Sequence, residues 1–293
     1  MSCQHGLLLL DKPAGVTSNA ALQRAKRLLG IKKAGHTGSL DPIATGLLVL
    51  LFGEATKVSD YILNADKSYL ATLRLGQVTT TGDSEGKILE ERPVTVSAEQ
   101  VRAVLPQFLG EIAQIPPMYS AIKQGGRPLY ELARMGLEVE RAARQVRIDA
   151  LDLISLDGDR LVLDVHCSKG TYIRSLAVDI GAALGCGAHV DGLRRTSTGP
   201  FDIAQALTLE ELADVLGRGE CPLKAMDLAL KYLPAVTLTE NTAYYLRQGQ
   251  GVVVAYAPSR GRIRLYGPGE QFLGLGEVMD DGRVAPRRLM SVN

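Results

Sequence analysis

Residues 35–46 read GHTGSLDPIATG, and the one carboxylate in that stretch, Asp41, sits among Gly, Thr, Ser and Pro, the residues of irregular backbone. An ionised aspartate is a competent covalent nucleophile, and with an unperturbed pKa of about 3.9 it is ionised at neutral pH without assistance. Two other chemistries compete for the same loop. A phosphate-binding loop of the form GxxxxGK[ST] requires a lysine directly after its second glycine, and no glycine here supplies one. A metal centre requires more closely spaced ligands than His36 and Asp41 provide, although Asp83 and Glu85 add oxygens further on. Neither a phosphate loop nor a metal is expected. An Asp-Pro pair is commonly a turn former, so the loop by itself leaves nucleophile and turn open as alternatives.

The elements on either side must hold that loop. Residues 7–10 read as a short strand. Ser18 or Asn19 is placed to N-cap a helix that runs to Leu29 and ends at Gly30 in an αL C-cap. The apolar run 47–52 predicts a strand directly after the loop, so Asp41 lies between a helix and a strand, where functional loops are commonly carried. Residues 67–75 alternate polar and apolar side chains as a half-buried strand does, and TTTGDSEG (79–86) reads as a turn. Ser97 caps a further helix ending near Gly110. Strands at 146–154 and 161–165 form a hairpin around Asp157-Gly158, and SKGT (168–171) leads into a helix over 172–184. Mixed helices and consecutive strands indicate an α+β fold. After about Leu233 the pattern changes to one short helix, 240–248, and strand segments at 252–256, 262–266 and 272–278 separated by Gly and Pro, which predicts a small β-barrel-like domain over 234–293.

With 293 residues, 46% hydrophobic and 22% charged, the chain is long enough for one sizeable core and a small second domain. The longest apolar runs fall far short of the roughly 20 residues that cross a bilayer, so a soluble protein with no membrane or export signal is expected. Cys3, Cys167, Cys186 and Cys221 are scattered without a CxxC pair, which suggests neither a disulfide framework nor zinc and fits a reducing cytoplasm. The net charge is +1, so any polyanion surface must come from local clusters: Arg24 to Lys33, Arg141 with Arg144 and Arg147, Arg194 with Arg195, and Arg260 with Arg262 and Arg264. Any one cluster reads equally as a solvated face, but four together favour a polyanion partner.

GHTGSLDPIATGLLVL resembles the catalytic motif of the TruB family of tRNA pseudouridine synthases, with Asp41 at the family's catalytic aspartate. Other segments agree in order: LDKPAGVTSN (10–19), KSYLATLRLGQVTTTGD (67–83), CSKGTYIRSLAVDIG (167–181) and LRRTSTGPF (193–201). The resemblance covers the chain to about Leu233, and the remainder is similar, more weakly, to the family's RNA-binding PUA-like domain. It implies a mixed, largely antiparallel sheet in a catalytic domain over 1–233. It also implies isomerisation of the T-loop uridine at tRNA position 55 to pseudouridine on a flipped-out base, no cofactor, a monomer, tRNA recognised through its T-arm stem-loop, and assistance to tRNA folding.

Site roles follow by the same resemblance. Arg174 is expected to orient Asp41 and keep it charged; a cation in the first turn of the predicted helix meets an unfavourable macrodipole worth about 0.3–1 kcal/mol, which a carboxylate partner offsets. Tyr69 is expected to stack on the flipped base and to take part in proton removal, although a strand tyrosine is equally a core aromatic. The histidine matching His36 helps hold the flipped RNA loop open. Lys12 and Lys57 match positions near the site and read as phosphate contacts or surface charges, and Leu193 as a wall of the uracil pocket or as core. Two rival functions remain: an RNA-binding protein without required catalysis, against which the Asp41, Tyr69 and Arg174 set argues, and a glycosidase, for which no paired-carboxylate motif stands out.

Overall fold

The computed structural model describes residues 3–120 and 122–291. GLLLLDK forms β1 (Gly6–Lys12), whose side chains are buried on both faces. Helix α1 (Ser18–Leu29) follows and ends at Gly30 with φ 68°, the expected αL cap. Its N-cap is Thr17 rather than Ser18 or Asn19, and the Thr17 hydroxyl accepts from Ala20 N. Ser18 turns inward instead. Its Oγ accepts from Leu40 N at 2.7 Å and donates to Leu40 O at 3.1 Å, so the serine serves the Asp41 loop rather than the helix end.

The main sheet is built from β1, β2 (Ala34–His36), β3 (Thr45–Phe52), β4 (Lys67–Leu75), β5 (Gly110–Gln114), β6 (Arg144–Asp157), β7 (Arg160–Cys167), β8 (Ala188–Thr198) and β9 (Phe201–Asp202). Its order is β1-β3-β8-β4-β7-β6-β5, with β2 paired to β3 and β9 to β8. Every pairing is antiparallel except β3 with β8, where Thr45 faces Arg194 and Gly46 faces Arg195. The sheet is therefore mixed and largely antiparallel. The 146–154 and 161–165 hairpin is present as the longer β6–β7 pair, turned at Gly158 with φ 57°. Ser97 caps α2 (Ala98–Val104) in a capping box with Gln100, and the chain reaches Gly110 through a short 3-10 turn.

Alternation along β4 decides where the site can be. Lys67, Tyr69, Ala71, Leu73 and Leu75 are buried, and the last four share a core with Leu176, Ala177 and Ile180 of helix α3 (Ile173–Ala183). The even positions face outward, as a period of two requires. Tyr69 and the helix carrying Arg174 thus lie on one side of the sheet.

Gly46 closes the parallel seam. Its φ is 99°, and a Cβ there would sit 2.3 Å from the Arg195 carbonyl oxygen. Gly46→Ala is expected to cost about 3 kcal/mol or more, backbone strain and collision together, visible as a lower urea midpoint.

The C-terminal unit holds β10 (Ala235–Thr237), helix α4 (Glu240–Arg247), β11 (Gly261–Tyr266), β12 (Phe272–Val278) and β13 (Val284–Leu289) in a four-stranded sheet of that strand order. The strand expected over 252–256 is not formed. Val252 makes a single bridge to Val284, and Tyr256 takes a left-handed φ of 60° with its side chain in solvent. Apolar composition without alternation proved a poor guide there, because β10 and β13 supply the sheet's edges. Two residues of the expected 234–293 domain lie outside the described residues. The unit packs tightly on the main one: Leu275 and Met290 join a core with Val49, Leu51 and Ile62.

Cys3 and Cys221 form a disulfide with Cα atoms 5.7 Å apart, contrary to the expectation of none. A sequence separation of 218 gave no local spacing signal, and the two meet because Lys224 exchanges backbone hydrogen bonds with Leu7. Cys167 and Cys186 are buried free thiols. No helix among the described residues is long and apolar enough to cross a membrane.

Candidate active site

The loop between β2 and β3 is held from below at several points. Thr37 N donates to Val49 O, Gly15 N donates to Pro42 O at 2.8 Å, and Ser18 clamps Leu40. Lys12 completes the support. It is fully buried, and its ammonium donates to Pro13 O, Val16 O and Pro42 O at 2.9, 2.7 and 3.4 Å. Burial lowers its pKa to about 8, with Asp41 opposing and Arg195 adding to the fall. In this arrangement the Lys12 protons go to carbonyls beneath the loop rather than outward to a phosphate.

Asp41 emerges from that platform beside Arg174, the second residue of α3. Arg174 Nη2 lies 3.0 Å from Asp41 Oδ2, so the carboxylate partner expected for a cation in the first helical turn is present. The same guanidinium reaches a second carboxylate: Nη1 lies 3.3 Å from Asp83 Oδ2. Backbone carbonyls take two further N–H groups, Tyr119 O at 2.6 Å and Thr81 O at 3.4 Å. Arg174 and Asp83 are 7% and 3% exposed, whereas the Asp41 side chain is 42% exposed. Asp41 is therefore fixed on one side and open on the other, as a nucleophile awaiting a substrate must be.

Burial pushes the Asp41 carboxyl up from its ordinary value, and Asp83 adds to that; Arg174 and then Lys12 pull it down without cancelling the rise. Arg174 thus limits the desolvation of Asp41 rather than reversing it. Asp83 is a buried partner of Arg174 that the residue pattern did not single out. Its turn had marked it only as a source of oxygens, yet the Thr81 hydroxyl and Glu85 N both donate to it and aim it at Arg174.

Tyr69 is buried, and the register places it directly opposite Arg195 of β8. Burial raises its phenol pKa, with Arg195 acting in the opposite direction. Leu193, two residues earlier on β8, is half-buried against the same core. His36 ends β2 half-buried, with no hydrogen-bond partner for Nδ1 among the described residues and its pKa lowered by burial and then by Arg195. Lys57 lies elsewhere: it ion-pairs with Glu54 at 2.5 Å and donates to Leu289 O at 2.8 Å, clipping the C-terminal unit to the main one. Burial tends to raise the Glu54 pKa, yet hydrogen bonds from Lys57, Ser291 N and Lys33 hold it down at about 2.

The basic clusters divide on inspection. Arg24, Arg27 and Lys32 stand in solvent, but Arg147 bonds Asp149 and Asp66, Arg194 pairs with Asp11 at 2.6 Å, and Arg264 donates to Leu233 O. Among the described residues, the one His and carboxylate group with converging ligand atoms is Asp66, Asp149 and His166. It does not include Asp41, and Arg147 occupies both of its carboxylates.

Three family models match the chain. TruB family pseudouridylate synthase (N terminal domain) covers residues 26–173, tRNA pseudouridylate synthase B C-terminal domain covers 174–232, and Pseudouridine synthase II TruB, C-terminal, covers 234–290. Over 290 residues the chain is 54% identical to the tRNA pseudouridine synthase B of Stutzerimonas stutzeri (strain A1501), and 55% identical to that of Ectopseudomonas mendocina (strain ymp). Each alignment covers 97% of this chain and 95% of the relative. Among solved structures, an H/ACA RNP bound to a substrate RNA containing 2'-deoxyuridine superposes with TM-score 0.75 at 26% identity, covering 99% of this chain and 87% of that one. An archaeal box H/ACA sRNP Nop10-Cbf5 complex gives 0.73 at 26% identity, covering 98% and 86%. The motif order and the fold agree with these matches: the chain belongs to the TruB family of pseudouridylate synthases.

Proposed function

We propose that this chain converts the T-loop uridine of tRNA to pseudouridine, with Asp41 as the nucleophile. The observation that carries the residue assignment is the half-open Asp41 carboxylate fixed on a buried arginine. In the reaction the bond from N1 to the ribose breaks, the base turns, and a bond from C5 to the ribose forms; the C5 proton leaves and N1 gains one. No other substrate is consumed. Arg174 orients Asp41 through a fork of donors, and Asp83 holds Arg174 from its far side. Tyr69 stacks on the flipped uracil and receives the C5 proton. Leu193 walls the base, and His36, with a ring nitrogen unpartnered among the described residues, holds the emptied RNA loop open. Lys12 supports the loop from within, and Lys57 acts through its link to the C-terminal unit.

The same reading has residues 234–293 as an RNA-binding PUA-like domain, the protein as a cytoplasmic monomer, and the T-arm as its main contact, with release of refolded tRNA as a second effect. Because Leu275 and Met290 belong to a shared core, removing everything after Leu233 would unsettle the whole protein. Surface changes are the better test. Arg260 and Tyr256 stand in solvent, so Arg260→Glu with Tyr256→Ala is expected to weaken tRNA affinity several-fold and to flatten the salt dependence by about one unit of slope. Single-turnover rates at saturating RNA are expected to stay unchanged. Affinity titrations at three salt concentrations check this.

The pH profile tests the Asp41 assignment. A raised carboxyl pKa means that protonation on acidification begins above 3.8, so the single-turnover rate is expected to fall through an acid limb lying above that value. Arg174→Met removes the largest opposing influence and is expected to move the limb to higher pH. The reaction itself is tested by incubating the purified chain with a tRNA transcript carrying 5-tritiated uridine. One tritium released per tRNA supports the proposal, and none refutes it.

A further inference from the structure

Arg195 is 1% exposed and heads the fully buried side chains by volume. Its neighbour Arg194 pairs with Asp11, but Arg195 has no carboxylate partner among the described residues. A buried cation without a counter-ion is costly unless every donor is well used. Its Nε donates to Leu47 O at 2.7 Å and Nη2 donates to Gly38 O at 3.2 Å. Both carbonyls flank the Asp41 loop, one at each end. The third group it meets is Tyr69, its directly opposed register partner on β4, buried like it and with a phenol that feels its charge. Lys12, Lys67 and His36 each feel its charge as well, so Arg195 makes this side of the site positive.

Hydrophobic residues would pack β8 against β4 at lower cost, and Gly38 and Leu47 could be bound by a neutral donor. Only the phenol gains specifically from a positive charge, because a nearby cation stabilises its ionised form. We propose that Arg195 is a positioning residue that holds the Tyr69 oxygen and the Asp41 loop in one frame and favours the phenolate that accepts the C5 proton. This rests on the role of Tyr69 in the reading above. In the step, the ionised Tyr69 oxygen takes the proton from C5 of the turned base, already joined to the ribose through C5. The electron pair of that C–H bond becomes the C5–C6 double bond, the C6–N1 double-bond pair moves to N1, and N1 takes a proton from water. Tyr69 then returns its proton to solvent.

Single-turnover rates in a double-mutant cycle test it. Arg195→Met is expected to slow the otherwise wild-type chain about 100-fold, but the Tyr69→Phe chain by no more than about 3-fold, because the group it serves is already gone. Equal losses in both backgrounds, with Tyr69→Phe itself slow, would overturn the proposal and leave Tyr69 its role. A Tyr69→Phe chain that runs at the wild-type rate would instead remove the phenol from the reaction and the proposal with it. Because Arg195→Met removes a buried side chain, Arg195→Lys is the second variant, keeping the charge while losing the fork. In Arg195→Met, tyrosine labelled with 13C at Cζ is expected to show the Tyr69 phenol titrating higher than in wild type, and in Arg195→Lys, which keeps the charge, closer to wild type. An unmoved titration in Arg195→Met contradicts the proposal, since holding the loop in place would not shift it.

Discussion

Asp41→Asn is expected to reduce tritium release from 5-labelled uridine in tRNA by at least about 10⁴-fold, the scale on which removal of a covalent nucleophile acts. Asparagine keeps the shape and a hydrogen-bonding oxygen for Arg174 but cannot form the covalent bond. The fold is expected to survive. Asp41 is half-exposed, its carboxylate pays a desolvation penalty that the amide avoids, and Arg174 retains Asp83 and two carbonyls. Binding of tRNA is therefore expected to remain within a few-fold of wild type. A thermal melt and an affinity titration beside the rate separate loss of chemistry from loss of structure.

Arg174 carries the second large effect, and its two substitutions divide it. Arg174→Lys keeps a positive charge near Asp41 and Asp83 but replaces a planar fork that serves both carboxylates and two carbonyls with one point charge. The single-turnover rate is expected to fall about 10²- to 10³-fold, comparable to losing a preorganised donor, with a small change in stability. Arg174→Met leaves Asp83 buried and unpaired, which is expected to cost about 3–5 kcal/mol in addition to activity. A urea titration reads the difference. Equal stability of the two variants would mean that Asp83 finds another partner and that its tie to Arg174 is not structural.

That Arg174 meets a carboxylate was legible because a helix dipole disfavours a cation in the first turn, whereas the Asp41 loop by itself left nucleophile and turn open and only the family resemblance singled it out. The strand around Tyr69 was legible from alternation. Asp83 was not, because a carboxylate in a turn rich in Thr and Gly has no distinctive spacing, and its partner lies 91 positions away in sequence, at Arg174. Arg194 and Arg195 look alike as neighbours in a basic pair, yet a strand sends one to Asp11 and the other into the core beside Tyr69. Lys12 and Lys57 carry charges that suggest phosphates, and tertiary packing instead directs both to carbonyls. Ser18 has the chemistry of a cap and the position of a loop anchor. Sequence periodicity reports which face a residue takes; which neighbour waits on that face is decided by contacts far along the chain.

Pseudouridine mapping in total RNA from cells lacking this gene, complemented with either the wild-type chain or its Asp41→Asn variant, tests the central claim most directly. The T-loop pseudouridine of tRNA is predicted to disappear without the gene, to return with the wild-type chain and to stay absent with the variant. Its persistence in the deletion strain, or its return with Asp41→Asn, would contradict the account.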